Sequence, residues 1–192
     1  VINEACRQLR EWHLQGHQSW SMAVNLSTLQ FEQPSLVNTV LNCLALHHVP
    51  PEMLILEVTE TTAMSNPDES VRVLTELTEA GVKASIDDFG TGYSSLLYLK
   101  RLPACELKID RAFVKELSGE SEDATIVSAI VALAKTLNLK VVAEGVETEA
   151  QQAFLTELGC NTLQGYLLGK PVSAQTIEAL CARGEMLPGA GL

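Results

Sequence analysis

The chain has 192 residues, 46% hydrophobic and 19% charged, a composition that can bury a sizeable core and argues against disorder. Its net charge of -11 excludes a protein built to hold a long nucleic acid, which needs clustered lysine and arginine to release counterions. No apolar run reaches the roughly 18 residues of a membrane span and no basic-then-apolar leader is visible, so the chain reads as soluble. Its five cysteines (Cys6, Cys43, Cys105, Cys160, Cys181) form no C-x-x-C pair and read as small hydrophobes of a reducing cytoplasm.

In chain order, the sequence opens at Val1 inside a predicted helix that runs to Leu14, with Ala5, Leu9 and Trp12 on one side. A strand-like run MAVNLS (22–27) follows. A second helical stretch ends near His47 and His48, which precede Pro50 and Pro51 and read as a solvated loop without a role. Further strand-like runs are LILEVTE (54–60), KASIDDFG (83–90), CELKID (105–110), LKVVAEGVE (139–147) and NTLQGY (161–166). The clearest helix spans 122–137, with Glu122 and Asp123 in its first turn and Ile126, Val127, Ile130, Ala134 and Leu137 on one stripe. Gly16, Gly81, Asn138 and Gly159 stand where left-handed helix C-caps are expected. The tail ARGEMLPGAGL lacks periodicity and is expected to fray beyond Cys181.

Strands alternating with helices imply parallel pairing through helical crossovers. In all six runs the polar residues lie toward the C-terminal end, which favours a TIM-type (β/α)8 barrel over an open doubly wound sheet, because a barrel gathers its ligand groups from almost every strand. Such a barrel has eight strands and typically about 250 residues. The expectation is therefore a barrel with about two strands upstream of the sequence in hand, a domain over 1–182 and a tail over 183–192.

The strand ends offer Asn25, Glu57, Asp87, Asp88, Glu144, Glu147 and Gln164, nearly all oxygen donors, and no histidine. Hard cations such as Mg2+ or Mn2+ prefer such ligands, whereas zinc more often recruits histidine or cysteine. Two adjacent like charges, Asp87 and Asp88, then read as a metal seat, and Lys108 adds a fixed positive charge. Each assignment has a plainer competitor. Asp87 and Asp88 also suit a helix cap and turn, Lys108 suits an outward surface position, Glu57 suits a structural salt bridge, and buried amides such as Asn25 and Gln164 often only satisfy backbone groups. The segment GTGYSS falls short of a dinucleotide fingerprint, with Ser95 in place of the third glycine.

The motifs VNLS, LEVTE, DDFGTGYSSL, LKIDR, AEGVET and QGY, in that order between about Val1 and Leu180, resemble the EAL domain family of cyclic di-GMP phosphodiesterases. The resemblance implies that Asn25, Glu57 and Asp87 bind metal, with Asp87 shared between two ions (Mg2+ or Mn2+) and Asp88 on the second. It implies that Lys108 contacts the catalytic water, that Glu144 assists at the metal centre, and that Glu147 and Gln164 support the water and ligand network. Asp110 is then a partner of Lys108, and Glu60 braces the loop DFGTGYSS, which shapes the site and links it to dimerisation. One departure stands out: the family's N-terminal E-x-L glutamate, a metal ligand, and a nearby substrate-binding arginine are not in this sequence. The implied function is hydrolysis of cyclic di-GMP to linear pGpG in a cytoplasmic homodimer, below an upstream sensor or GGDEF-like domain. The alternatives are a receptor that binds cyclic di-GMP without cleaving it, and an interaction module using the barrel as scaffold.

Overall fold

The computed structural model describes residues 1–92, 96–117 and 121–183. The chain divides into two compact units, Val1–Glu106 and Leu107–Leu192. The first contains α1 (Ile2–Leu14), β1 (Met22–Leu26), α2 (Thr28–Phe31), α3 (Leu36–His47), β2 (Leu54–Thr59), α4 (Glu60–Ser65), α5 (Pro67–Glu79), β3 (Lys83–Phe89) and α6 (Leu96–Leu99). At the division lies β4 (Glu106–Ile109), and the second unit continues with α7 (Arg111–Lys115), α8 (Glu122–Thr136), β5 (Lys140–Glu144), α9 (Glu149–Leu158), β6 (Thr162–Gln164) and α10 (Ala174–Ala182). Among the described residues, a strand stands at each of the six runs the sequence marked.

Within the first unit β1, β2 and β3 are neighbours in that order and parallel, with Val24 opposite Leu56 and Leu56 opposite Ala84. Residues two apart share a face of a strand, so Val24, Leu26, Leu56, Val58, Ala84 and Ile86 form one apolar face, and all are buried. Helices supply its cover: α5, whose buried residues include Val73, Leu74 and Leu77, packs on β3, and α1, with Leu9 buried, packs on α3, which buries Val40 and Leu44. Local signals start these helices. Ser27 and Gln30 form a reciprocal capping box at α2, while α5 begins with Asn66 as cap and Pro67 in its first position, where a missing N–H costs nothing.

In the second unit β5 and β6 pair in parallel, Glu144 opposite Gln164. The α8 helix starts at Ser121, whose Oγ accepts from Ala124 N, and packs on β5. The anticipated helix ends do turn left-handed, at Gly16 (φ 103°), Gly81 (96°), Asn138 (58°) and Gly159 (87°).

Two expectations need correction. The buried stripe of α8 is Ala124, Val127, Ile130, Val131 and Ala134; Ile126 is 40% exposed, because the strip of helix that meets β5 is centred one position further round than the sequence stripe. His47 does not sit in a solvated loop: it closes α3, and its Nε2 lies 2.9 Å from Asn3 Oδ1 on α1, while His48 takes the left-handed cap (φ 53°). The expected tail lies almost wholly outside the described residues, and no described helix is long and apolar enough to cross a membrane.

All five cysteines are free thiols. Burial pushes Cys6 and Cys160 from 9.0 up to about 11, and raises Cys105 as well. Only the thiolate is a nucleophile, so these thiols are inert near neutrality. At pH 8 a maleimide reagent is expected to label exposed Cys181 well before Cys6 or Cys160, read by peptide mass spectrometry. Unfolded thiols ionise near 9 and these folded ones near 11, so the thiol contribution to stability is intact below pH 9 and is lost as pH climbs toward 11.

Candidate active site

In the first unit the face opposite the apolar one carries the polar groups. Asn25 on β1 is in register with Glu57 on β2, Glu57 with Ser85 on β3, and Thr59 with Asp87. The two-residue period therefore puts Asn25, Glu57 and Asp87 on one face of three neighbouring strands, near their C-terminal ends. Glu57 and Asp87 are each only 7% exposed. Burying carboxylates is costly unless they are paired or hydrogen-bonded, and the covered apolar face on the other side keeps these positions in register.

At Asp88 the strand changes hand. Its φ is 53°, a left-handed conformation that asparagine and aspartate tolerate better than other non-glycine residues and that costs on the order of 1 kcal/mol. The Asp88 N–H donates to Asp87 Oδ1 at 3.0 Å, and the Thr91 hydroxyl donates to Asp88 O at 2.8 Å. The pair is thus a strand end and a tight turn at once, with one acid buried and the other half-buried.

The loop after it leans on Glu60. This carboxylate is 2% exposed and its Oε2 accepts from Gly90 N at 2.8 Å and from Gly92 N at 3.4 Å. A Cβ at Gly92 would stand 3.0 Å from Glu60 Oε1, so a larger residue there would push the carboxylate aside by a few tenths of an ångström. Tyr93, Ser94 and Ser95 of the motif lie outside the described residues. Sequence reasoning missed Thr62, 3% exposed, whose hydroxyl lies 2.7 Å from Thr28 Oγ1 and 2.9 Å from Thr59 Oγ1, tying the segments that follow β1 and β2.

In the second unit Lys108, 4% exposed, holds its Nζ 2.7 Å from Glu144 Oε1. This gives Lys108 an ion-pair partner that the sequence did not name. Asp110, the expected partner, spends Oδ1 on the Ala112 N–H at 2.7 Å as the N-cap of α7, as an aspartate just ahead of a helix tends to. Gln164 faces Glu144 in register; its side chain and that of Glu147 are exposed. The Glu147 N–H is engaged by Gln151, a second residue that sequence reasoning missed. Its signal was legible in part, since Thr148 and Gln151 have capping-box spacing.

Two glycines let the segments close up here. A Cβ at Gly145 (φ 74°) would sit 2.6 Å from Arg111 Cβ, and one at Gly165 would sit 2.1 Å from Val146 O, so no side chain fits either place.

Parallel strands alternating with helices, with acids gathered at C-terminal strand ends, define the TIM-type (β/α)8 barrel class. The chain belongs to the EAL domain family, which it matches over residues 1–171. It is 63% identical over 182 residues to the bifunctional diguanylate cyclase/cyclic di-GMP phosphodiesterase MucR of Pseudomonas aeruginosa, covering 95% of this chain and 27% of that protein. A solved structure described as PaMucR phosphodiesterase in complex with c-di-GMP superposes with a TM-score of 0.90 at 64% identity, covering 92% of this chain and 72% of that one. A manganese/cy-diGMP complex of Klebsiella pneumoniae BlrP1 superposes with a TM-score of 0.76 at 31% identity, covering 88% and 44%. The chain spans about a quarter of the length of the curated relatives it matches.

Removing Glu60 takes the carboxylate acceptor away from the Gly90 and Gly92 N–H groups. Hydrogen bonds to a charged acceptor are each worth about 1.5–3 kcal/mol, so Glu60→Ala is expected to destabilise the protein by about 2–4 kcal/mol and to speed amide exchange at Gly90 and Gly92. Hydrogen exchange with mass spectrometry checks this, and unchanged protection of both amides would refute the brace.

Proposed function

We propose that the protein is a metal-dependent phosphodiesterase that hydrolyses cyclic di-GMP to linear pGpG. The observation that carries the reading is the alignment of Asn25, Glu57 and Asp87 on one face of three parallel strands, two of them buried acids. Their donors are all oxygen, which suits Mg2+ or Mn2+ and disfavours a soft or imidazole-bound metal. Asn25, Glu57, Asp87, Asp88 and Glu144 are the residues assigned to hold two such ions. When bound, two divalent ions activate a water and stabilise the attacking and leaving oxygens of a displacement at phosphorus.

The protein's own groups have separate tasks in this reading. Lys108 holds the attacking water and steadies developing negative charge, and Glu144, at 2.7 Å, fixes where that ammonium sits. Asp110 anchors the start of α7 just beyond Lys108. Glu147 and Gln164 complete the water and ligand network, and Glu60 sets the loop beside Asp87 and Asp88. The net charge of -11 agrees with a small anionic ligand whose phosphates are met by divalent cations rather than by a basic patch.

The relatives' lengths and the cyclase activity in the first relative's description support a further domain in the intact protein, a sensor or GGDEF-like one ahead of the phosphodiesterase; the reading takes that protein as a cytoplasmic homodimer.

Loss of an outer-sphere partner of a metal site already costs 10- to 100-fold. In the intact protein, Glu57→Ala and Asp87→Asn are therefore each expected to lower Mg2+-dependent turnover by more than about 100-fold while circular dichroism shows the fold retained. Chromatography of pGpG is the readout, and full turnover in both variants would overturn the metal assignment. Wild-type protein that binds cyclic di-GMP in calorimetry and yields no product would select the receptor instead.

A further inference from the structure

Gln151 is 6% exposed and uses both ends of its amide. Its Oε1 accepts from Glu147 N at 2.8 Å and Thr148 N at 3.0 Å, and its Nε2 donates to Val114 O at 2.9 Å and Lys115 O at 3.2 Å. Two N–H groups need an oxygen and two carbonyls need an NH2, so the partners fix the orientation of the amide. A capping-box glutamine at the third position of a helix has done its work once it returns to the cap N–H. This one goes further: its amine is turned inward to the last turn of α7, where it adds a donor to Val114 O, which also accepts from Leu117 N, and supplies one to Lys115 O.

The consequence lies in what these two segments carry. α7 starts at Asp110, two residues after Lys108, and the segment bonded to Gln151 starts at Glu147, three residues after Glu144. At the other end of α7, Gly145 is pressed against Arg111 so closely that no Cβ fits. The segment 144–148 is thus clasped to α7 twice, by van der Waals contact at its first residue and by Gln151 at its last turn. The 2.7 Å Lys108–Glu144 pair joins the ends of the strands from which these two segments run.

We infer that Gln151 is a positioning residue for catalysis: by locking α7 to the segment 144–148 it sets the register of Lys108 against Glu144. The inference rests on the hydrolase reading above. Without the amide, the Glu147 and Thr148 N–H groups lose their acceptor and Lys115 O its side-chain donor, while Val114 O keeps only its backbone bond from Leu117 N. The clasp then opens at one end and α7 can pivot about the Gly145–Arg111 contact, moving the segment beyond Lys108 relative to the one beyond Glu144.

The test compares the intact wild-type protein with Gln151→Met, which conserves volume and removes all four bonds, and Gln151→Glu, which keeps an oxygen for the Glu147 and Thr148 amides and loses the donors to α7. A misplacement near 1 Å can cost about 100-fold in rate. Gln151→Met is expected to lower kcat by about 10- to 100-fold with KM for cyclic di-GMP changed less than about threefold, since the residue touches no ligand. Gln151→Glu is expected to fall between it and wild type. Ser173→Ala, which only uncaps α10, is the control for generic destabilisation: a lower Tm with kcat unchanged. If Gln151→Met does not fold, Gln151→Glu carries the measurement alone. A folded Gln151 variant with wild-type kcat, or one that behaves like the Ser173→Ala control, overturns the assignment of Gln151 only. A wild-type protein without turnover overturns the hydrolase reading and this inference with it.

Discussion

A parallel strand covered by helices on one face is free to carry charge on the other, and the strength of the covered face limits how much charge it can carry. Here β1, β2 and β3 turn Val24, Leu26, Leu56, Val58, Ala84 and Ile86 to the helices. The alternate positions carry Asn25, Glu57 and Asp87. A slip of one residue in register would exchange the two sets, placing acids in the core and leucines on the polar face. The hydrophobic pattern therefore specifies the site as firmly as it specifies the fold.

Strand ends are the second constraint. Each polar strand end must stop being a strand within a residue or two, and the chain does this by different means. At Asp88 it accepts a left-handed aspartate. At Gly145 and Gly165 it removes the side chain altogether so that backbone can meet Arg111 and Val146. Strain of this kind persists only where the surroundings over-determine it, and the hydrogen bonds from Asp88 N to Asp87 and from the Thr91 hydroxyl to Asp88 O supply that support.

Much of this was legible in the sequence because it is local. Strand runs, helix caps and glycine stops depend on neighbours within four residues, and the left-handed turns at Gly16, Gly81, Asn138 and Gly159 could be placed from residue type alone. What failed depends on tertiary context. The stripe through Ile126 satisfied helical spacing, yet the packing of α8 on β5 selected a stripe running through Val131 instead. His47 looked like loop because prolines follow it, whereas the position of α1 gave it Asn3. Asp110, expected beside Lys108, also caps α7 through one of its oxygens, a role that the following helix start explains. Gln151 shows both sides of the divide: its capping role follows from Thr148 three residues earlier, and its inward amine depends on carbonyls 36 and 37 residues away.

The distribution of cations completes the electrostatic picture. Arg7 sits between Glu4 and Glu11, and Arg72 between Glu69 and Glu76, on exposed helix faces. These pairs hold Glu4 and Glu69 below the usual carboxylate range and push both arginines up, but solvent screening leaves such pairs little to contribute to stability. Among the described residues Lys108 is the sole buried lysine or arginine, against three buried acids, Glu57, Glu60 and Asp87. Backbone N–H groups at Gly90 and Gly92 answer for Glu60. Within the first unit three acids and no lysine or arginine are buried among the described residues, a sign of charge that draws cations rather than anions. Local sequence rules are overridden both by packing, as at Ile126, and at the strand end that carries the acids, as at left-handed Asp88.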